Sequence, residues 1–122
     1  MLIEPALTNI GIVLPDAGYL AAVREACTRH GAILIHDETH TLCAGPGGYT
    51  AEHGLAPDAI VLGKTIGGGI PAAALGMSRE FADRVATSIE LEDIDVGGVG
   101  GTLAGNALSR AGIVATLGEV LT

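Results

Sequence analysis

Apolar and polar positions alternate in blocks along the chain, and the blocks set the elements. Residues 6–15 form a loop with turn residues Asn9, Gly11 and Pro15. Asp16 is placed to cap a helix running to about His30, with Leu20, Val23 and Cys27 spaced three and four apart on one face. Gly31 sits where a left-handed glycine would stop that helix. The run Ala32-Ile33-Leu34-Ile35-His36-Asp37 is short, apolar and bounded by glycine and charge, which fits a buried strand. Turn chemistry fills 38–58, and Ala59-Ile60-Val61-Leu62 is a second buried strand. It ends at Gly63-Lys64-Thr65 and the glycine cluster Gly67-Gly68-Gly69. Ala72 to Met77 reads as a third strand, although its alanines are weak strand formers. A short helix over Arg79 to Ala86 follows, then an acidic, glycine-rich loop over 87–101. The last helix runs from about Asn106 to Leu121, with Leu108, Ile113, Leu117 and Leu121 as its apolar stripe.

Strands alternating with helices predict an α/β layer. In such sheets chemistry gathers at the carboxyl ends of the strands. Asp37 closes one strand and Lys64 lies just beyond the next, so an acid and a base share one rim.

Composition narrows the classes. The 122 residues carry 14 acids against 6 bases, a net charge of −8, which does not supply the clustered basic face that nucleic acid requires. Aromatics at 2% exclude a stacking platform for single strands, and hydrophobic content of 48% is too high for disorder. No apolar run reaches the roughly 18–20 residues of a membrane helix, and the first residues carry no signal-peptide pattern. Cys27 and Cys43 form no C-x-x-C pair, so a reducing, cytoplasmic setting is expected. Leu2-Ile3 resembles the tail of a strand whose start is missing, and the chain is expected to be a piece of a longer protein.

Three motifs can be weighed on their spacing. Gly63-Lys64-Thr65 lacks the glycine that a nucleotide loop needs upstream; Asp58 holds that position. Gly67-x-Gly69-x-x-Ala72 runs into Pro71 rather than a helix, against a dinucleotide fingerprint. His36 and His40 are four residues apart, but along a strand that spacing spans roughly 13 Å, too far to share one ion. No metal is expected. Arg24, Arg29, Arg79, Arg84 and Arg110 read as solvated helix charges. Lys64, the one lysine of the chain, stands apart. A lysine on an apolar rim loses solvation and becomes nucleophilic, and a strand-end carboxylate can keep a pyridine nitrogen protonated. A surface lysine in a salt bridge is the alternative.

Ile35-His36-Asp37-Glu38, Gly54-Leu55-Ala56-Pro57-Asp58 and Leu62-Gly63-Lys64-Thr65-Ile66-Gly67-Gly68-Gly69-Ile70-Pro71 together resemble the signature of class III pyridoxal-phosphate-dependent aminotransferases. Glu4-Pro5 with Asn9-Ile10-Gly11, Pro15 to Leu20, and Gly101 to Leu108 resemble the glutamate-1-semialdehyde aminomutase branch.

The resemblance implies the central segment of the large pyridoxal-phosphate-binding domain of a fold-type-I aminotransferase. That domain is a three-layer α/β/α unit with a mostly parallel sheet. Residues 1–122 would be an incomplete domain, without its N-terminal segment and without the C-terminal small domain. It further implies that Lys64 forms the Schiff base with pyridoxal 5′-phosphate and that Asp37 pairs with the pyridine nitrogen. Thr39 would pack on one ring face, and His40 would contact the ring hydroxyl. Thr102 would reach the cofactor phosphate of the neighbouring subunit, which implies a homodimer. The implied activity is amino transfer between a small-molecule amino donor and a keto or aldehyde acceptor. Branch members usually carry Phe and Arg after the Asp-Glu pair, where this chain has Thr41-Leu42-Cys43-Ala44. An intramolecular amino shift is therefore the second reading. A catalytically inactive structural or interaction module is the third, and the isolated segment is expected to be inactive.

Overall fold

The structure, a computed structural model, describes residues 1–88 and 100–122. Four strands, β1 (Leu2–Ile3), β2 (Ile35–Asp37), β3 (Ala59–Gly63) and β4 (Ala73–Met77), form one sheet in the order β1-β2-β3-β4. The first three are parallel, with Ile3 opposite His36 and Asp37 opposite Val61. β4 returns antiparallel to β3, with Gly63 opposite Ala73. The α/β reading of the sequence therefore holds, with a mostly parallel sheet.

Helix α1 (Tyr19–Arg29) connects β1 to β2 and buries Leu20 and Cys27 on its inner face. Its start differs from the expectation. Gly18, in the left-handed region, is the N-cap, and Asp16 contributes its backbone carbonyl to the Tyr19 N–H rather than a side-chain cap. The stop is as expected: Gly31 has φ +64° and Ala32 N–H donates back to the Cys27 carbonyl. β2 is shorter than the apolar run before it. Leu34 N–H donates instead to the Asp58 carboxylate at 2.7 Å, and Arg24 Nη1 donates to the same carboxylate at 2.9 Å. Arg24 is thus a clamp between α1 and the start of β3, not a solvated charge.

A 3-10 turn (Thr41–Ala44) and the five-residue helix α2 (Gly48–Glu52) lie between β2 and β3. Glu38, 1% exposed, organises both. It accepts from Thr41 Oγ1 at 3.0 Å and from the N–H groups of Tyr49 and Thr50 at 2.8 and 2.7 Å. These donors satisfy a carboxylate that would otherwise be costly to bury, and the helix N-terminus favours its charge. Gly48 makes this approach possible: a Cβ there would lie 2.6 Å from Glu38 Oε2, and its φ is +74°.

After β4 come α3 (Arg79–Ser88) and α4 (Ala107–Glu119). Most of the acidic, glycine-rich loop expected between them lies outside the described residues. Asn106 caps α4 by accepting from Ser109 N–H at 2.9 Å. The expected apolar stripe of α4 holds in part: Ile113 and Leu121 are half-buried, but Leu108 and Leu117 are exposed, and Thr116 is the buried residue. The helix packs instead through small and polar residues on the 3-10 turn that follows β3. Ser109 Oγ donates to the Pro71 carbonyl at 2.7 Å, and a Cβ on Gly112 would lie 2.9 Å from the Gly67 oxygen. Leucines at those positions would hold the helix away from the turn that carries Lys64.

Candidate active site

Three neighbouring parallel strands each deliver an ionisable residue at the carboxyl end. Glu4 follows β1, Asp37 ends β2, and Lys64 follows β3. With Asn9, Thr39 and His40 they line a cleft of about 210 Å³. The sheet's parallel register brings this about, since the carboxyl ends of adjacent strands fall on one edge.

Lys64 opens a 3-10 turn (Lys64–Gly67) with φ +48°, the sole positive φ at a non-glycine among the described residues. A lysine in the left-handed region costs about 1–3 kcal/mol, and such strain gathers at functional sites. Ile66, fully buried, anchors the turn from beneath, while Lys64 itself is exposed.

Asp37 Oδ1 accepts from Thr39 N–H at 2.9 Å. Burial alone would push the Asp37 carboxyl up. The side-chain and backbone hydrogen bonds from Thr39, with the charges of Lys64 and His40, outweigh it and hold the group below the usual carboxylate range. Asp37 is therefore a fixed anion facing the cleft.

His40 stands between Lys64 and the loop after β1. Its Nε2 lies 2.7 Å from Lys64 Nζ, and its Nδ1 lies 2.5 Å from Thr8 Oγ1. Thr8 Oγ1 in turn donates to Glu4 Oε2 at 2.9 Å. The loop that carries Thr8 is pinched shut by two backbone hydrogen bonds between Leu7 and Val13, at 3.1 and 2.9 Å. His36 points elsewhere: it is buried, with Nδ1 3.0 Å from Thr50 Oγ1. The two histidines share no site, and among the described residues no three His, Cys, Asp or Glu side chains cluster as a metal set.

The structure thus brings together Asp37, Thr39, His40 and Lys64. Thr102 is exposed before α4 and is not among the residues lining this cleft. Glu4, Thr8 and Asn9 belong to the site but were not among the residues singled out for chemistry in the sequence. Their position after a two-residue strand was the available signal, and only the pairing of β1 with β2 gives it meaning.

The family model of the class-III aminotransferases matches residues 1–122. The chain belongs to the class-III aminotransferase family. This class-III segment is 42% identical over 118 residues to the glutamate-1-semialdehyde 2,1-aminomutase of Nitratidesulfovibrio vulgaris, covering 96% of this chain and 26% of that one. It is 43% identical over 118 residues to the enzyme of the same name from Opitutus terrae, again covering 96% and 26%. Among solved structures, a glutamate-1-semialdehyde-aminomutase from Pseudomonas aeruginosa PAO1 superposes with a TM-score of 0.88 at 48% identity, covering 99% of this chain and 28% of that one. A variant of that enzyme was solved in complex with PMP and matches as well, with a TM-score of 0.88. An omega-transaminase from Sphaerobacter thermophilus gives 0.75 at 30% identity, covering 98% and 27%. The class-III segment spans about a quarter of the length of the curated relatives it matches.

Proposed function

We propose that this segment is the lysine-bearing part of a larger cofactor-binding domain that holds pyridoxal 5′-phosphate and moves an amino group between a small amino donor and a keto or aldehyde acceptor. One observation carries the reading. The Lys64 amine and the ionised Asp37 carboxylate line one cleft at the carboxyl ends of adjacent parallel strands.

The residues fit the cofactor. An exposed amine on a strained turn is available to its aldehyde carbon, and a fixed anion is available to its ring nitrogen. When bound, pyridoxal phosphate supplies an electron sink for charge developing at the donor's α-carbon. This chain's own residues do the rest. Lys64 would bond the cofactor and would take and return the donor's α-proton through Nζ. Asp37 would keep the ring nitrogen protonated. Thr39 would pack on the ring, and His40 would contact the ring hydroxyl. Thr102 reaches the phosphate held by the partner subunit, in a homodimer set in the cytoplasm. No described helix is long and apolar enough to cross a membrane.

A second reading, an amino shift within one molecule, is supported by the relatives at 42–43% identity that bear the aminomutase name. The assay uses the full-length protein with pyridoxal phosphate. Transfer to an external keto acid supports the first reading. Turnover confined to one bifunctional substrate supports the second. A protein that binds no cofactor contradicts both.

A further inference from the structure

Glu4, Thr8, His40 and Lys64 form an unbroken chain of hydrogen-bonding atoms whose proton directions can be worked out. A carboxylate only accepts, so the single Thr8 hydroxyl hydrogen goes to Glu4 Oε2 at 2.9 Å. Thr8 Oγ1 must then accept from His40, which places a proton on Nδ1. Nε2 is left facing Lys64 Nζ at 2.7 Å with one proton to share between them. Either the amine is an ammonium and the imidazole is neutral, or the amine is neutral and His40 is an imidazolium. Both states keep the same contacts to Thr8 and Glu4, so one proton crosses without rearrangement elsewhere.

We propose that His40 is the proton acceptor that frees the Lys64 lone pair, and that Thr8 and Glu4 are positioning residues that fix its tautomer and stabilise its charged form. In this step the Nζ–H bond breaks, its electron pair stays on nitrogen, and the proton moves to Nε2; no oxidant or further reactant is involved. Glu4 compensates the imidazolium through Thr8, whereas Asp37 faces both partners from β2 and acts more strongly on Lys64, so the Thr8–Glu4 arm is what favours the step. The step deepens the reading of Lys64 as the cofactor-bonding amine and rests on it. It serves any aldehyde that reaches Nζ.

That generality supplies a test free of the cofactor. The full-length protein without cofactor is treated with formaldehyde and cyanoborohydride. Methylation of Lys64 is followed by peptide mass mapping, with free Nα-acetyl-lysine as internal competitor. His40→Leu and Thr8→Val should each slow Lys64 labelling by roughly tenfold, the worth of one charge-assisted hydrogen bond. Thr8→Ser, which keeps the hydroxyl, should label like the parent. Unchanged labelling in Thr8→Val overturns the proposal. So does equal slowing in both Thr8 variants, which would mark a packing effect of the loop. A Lys64 that labels normally but takes no pyridoxal phosphate would instead contradict the cofactor reading, so the two failures are distinct.

Discussion

The Asp37 carboxylate and the Lys64 amine stand at the carboxyl ends of β2 and β3, two residues of opposite charge delivered to one cleft by a parallel strand pair. Burial opposes ionisation of Asp37, but its hydrogen bonds from Thr39 and the positive charge of the Lys64–His40 pair hold it ionised. Its charge is therefore available to a cofactor rather than consumed by a salt bridge; no carboxylate–lysine contact within 4.0 Å involves Asp37 among the described residues.

Replacing that charge should cost rate more than binding. Asp37→Asn in the full-length protein should retain pyridoxal phosphate but lose roughly 100-fold or more in amino-transfer kcat, the scale of removing one preorganised electrostatic contact. Steady-state assay with a single donor checks this. An unchanged kcat would remove Asp37 from the role.

Glu38 is a structural carboxylate although it adjoins Asp37 in sequence. Glu38→Ala would orphan the N–H groups of Tyr49 and Thr50 and the Thr41 hydroxyl, and should lower stability by about 2–4 kcal/mol in urea unfolding. Gly48→Ala should be destabilising for a linked reason, since its Cβ meets the same carboxylate at 2.6 Å. Near-parental stability in Glu38→Ala would show that the loop after β2 is held by something else.

His36 makes the fold acid-sensitive. Burial lowers its imidazole below the ordinary value, with Glu38 opposing and Arg24 assisting. The folded state keeps it neutral while the unfolded chain takes a proton at about pH 6.5. Below that pH the unfolded state binds more protons, so stability falls as pH falls. The urea midpoint should drop between about pH 7 and about pH 5, and His36→Gln should flatten that drop. A parental drop in the variant would assign it to other groups.

The packing of α4 on the Lys64 turn depends on missing side chains. Gly112→Ala would place a Cβ 2.9 Å from the Gly67 carbonyl, and the helix must shift. Loss of about 1–3 kcal/mol and weaker pyridoxal phosphate binding should accompany it. Binding titration by absorbance separates this from a purely global effect.

Much of this was legible in the sequence, for local reasons. The buried runs before Asp37 and Lys64 are short, apolar and bounded by glycine, so two strands and the shared rim followed from pattern alone. Gly31 marked the end of α1 in the same way. The start of α1 did not, because Gly18 holds the cap position expected of Asp16. The face of α4 is legible only in part: Ile113 is half-buried as the apolar stripe expects, but the close approach to the neighbouring turn runs through Ser109, Gly112 and Thr116. Arg24 looked solvated until Asp58, thirty-four residues away, proved to be its partner. Glu4 and Thr8 could not be found by any local rule, since their relation to His40 exists only once β1 pairs with β2.

Covalent trapping tests the central claim most directly. The full-length protein is saturated with pyridoxal phosphate, reduced with borohydride, digested and mapped by mass. The account predicts a pyridoxyl adduct on Lys64 and its absence in Lys64→Ala. An adduct on another lysine, or bound cofactor that leaves no adduct, would contradict it.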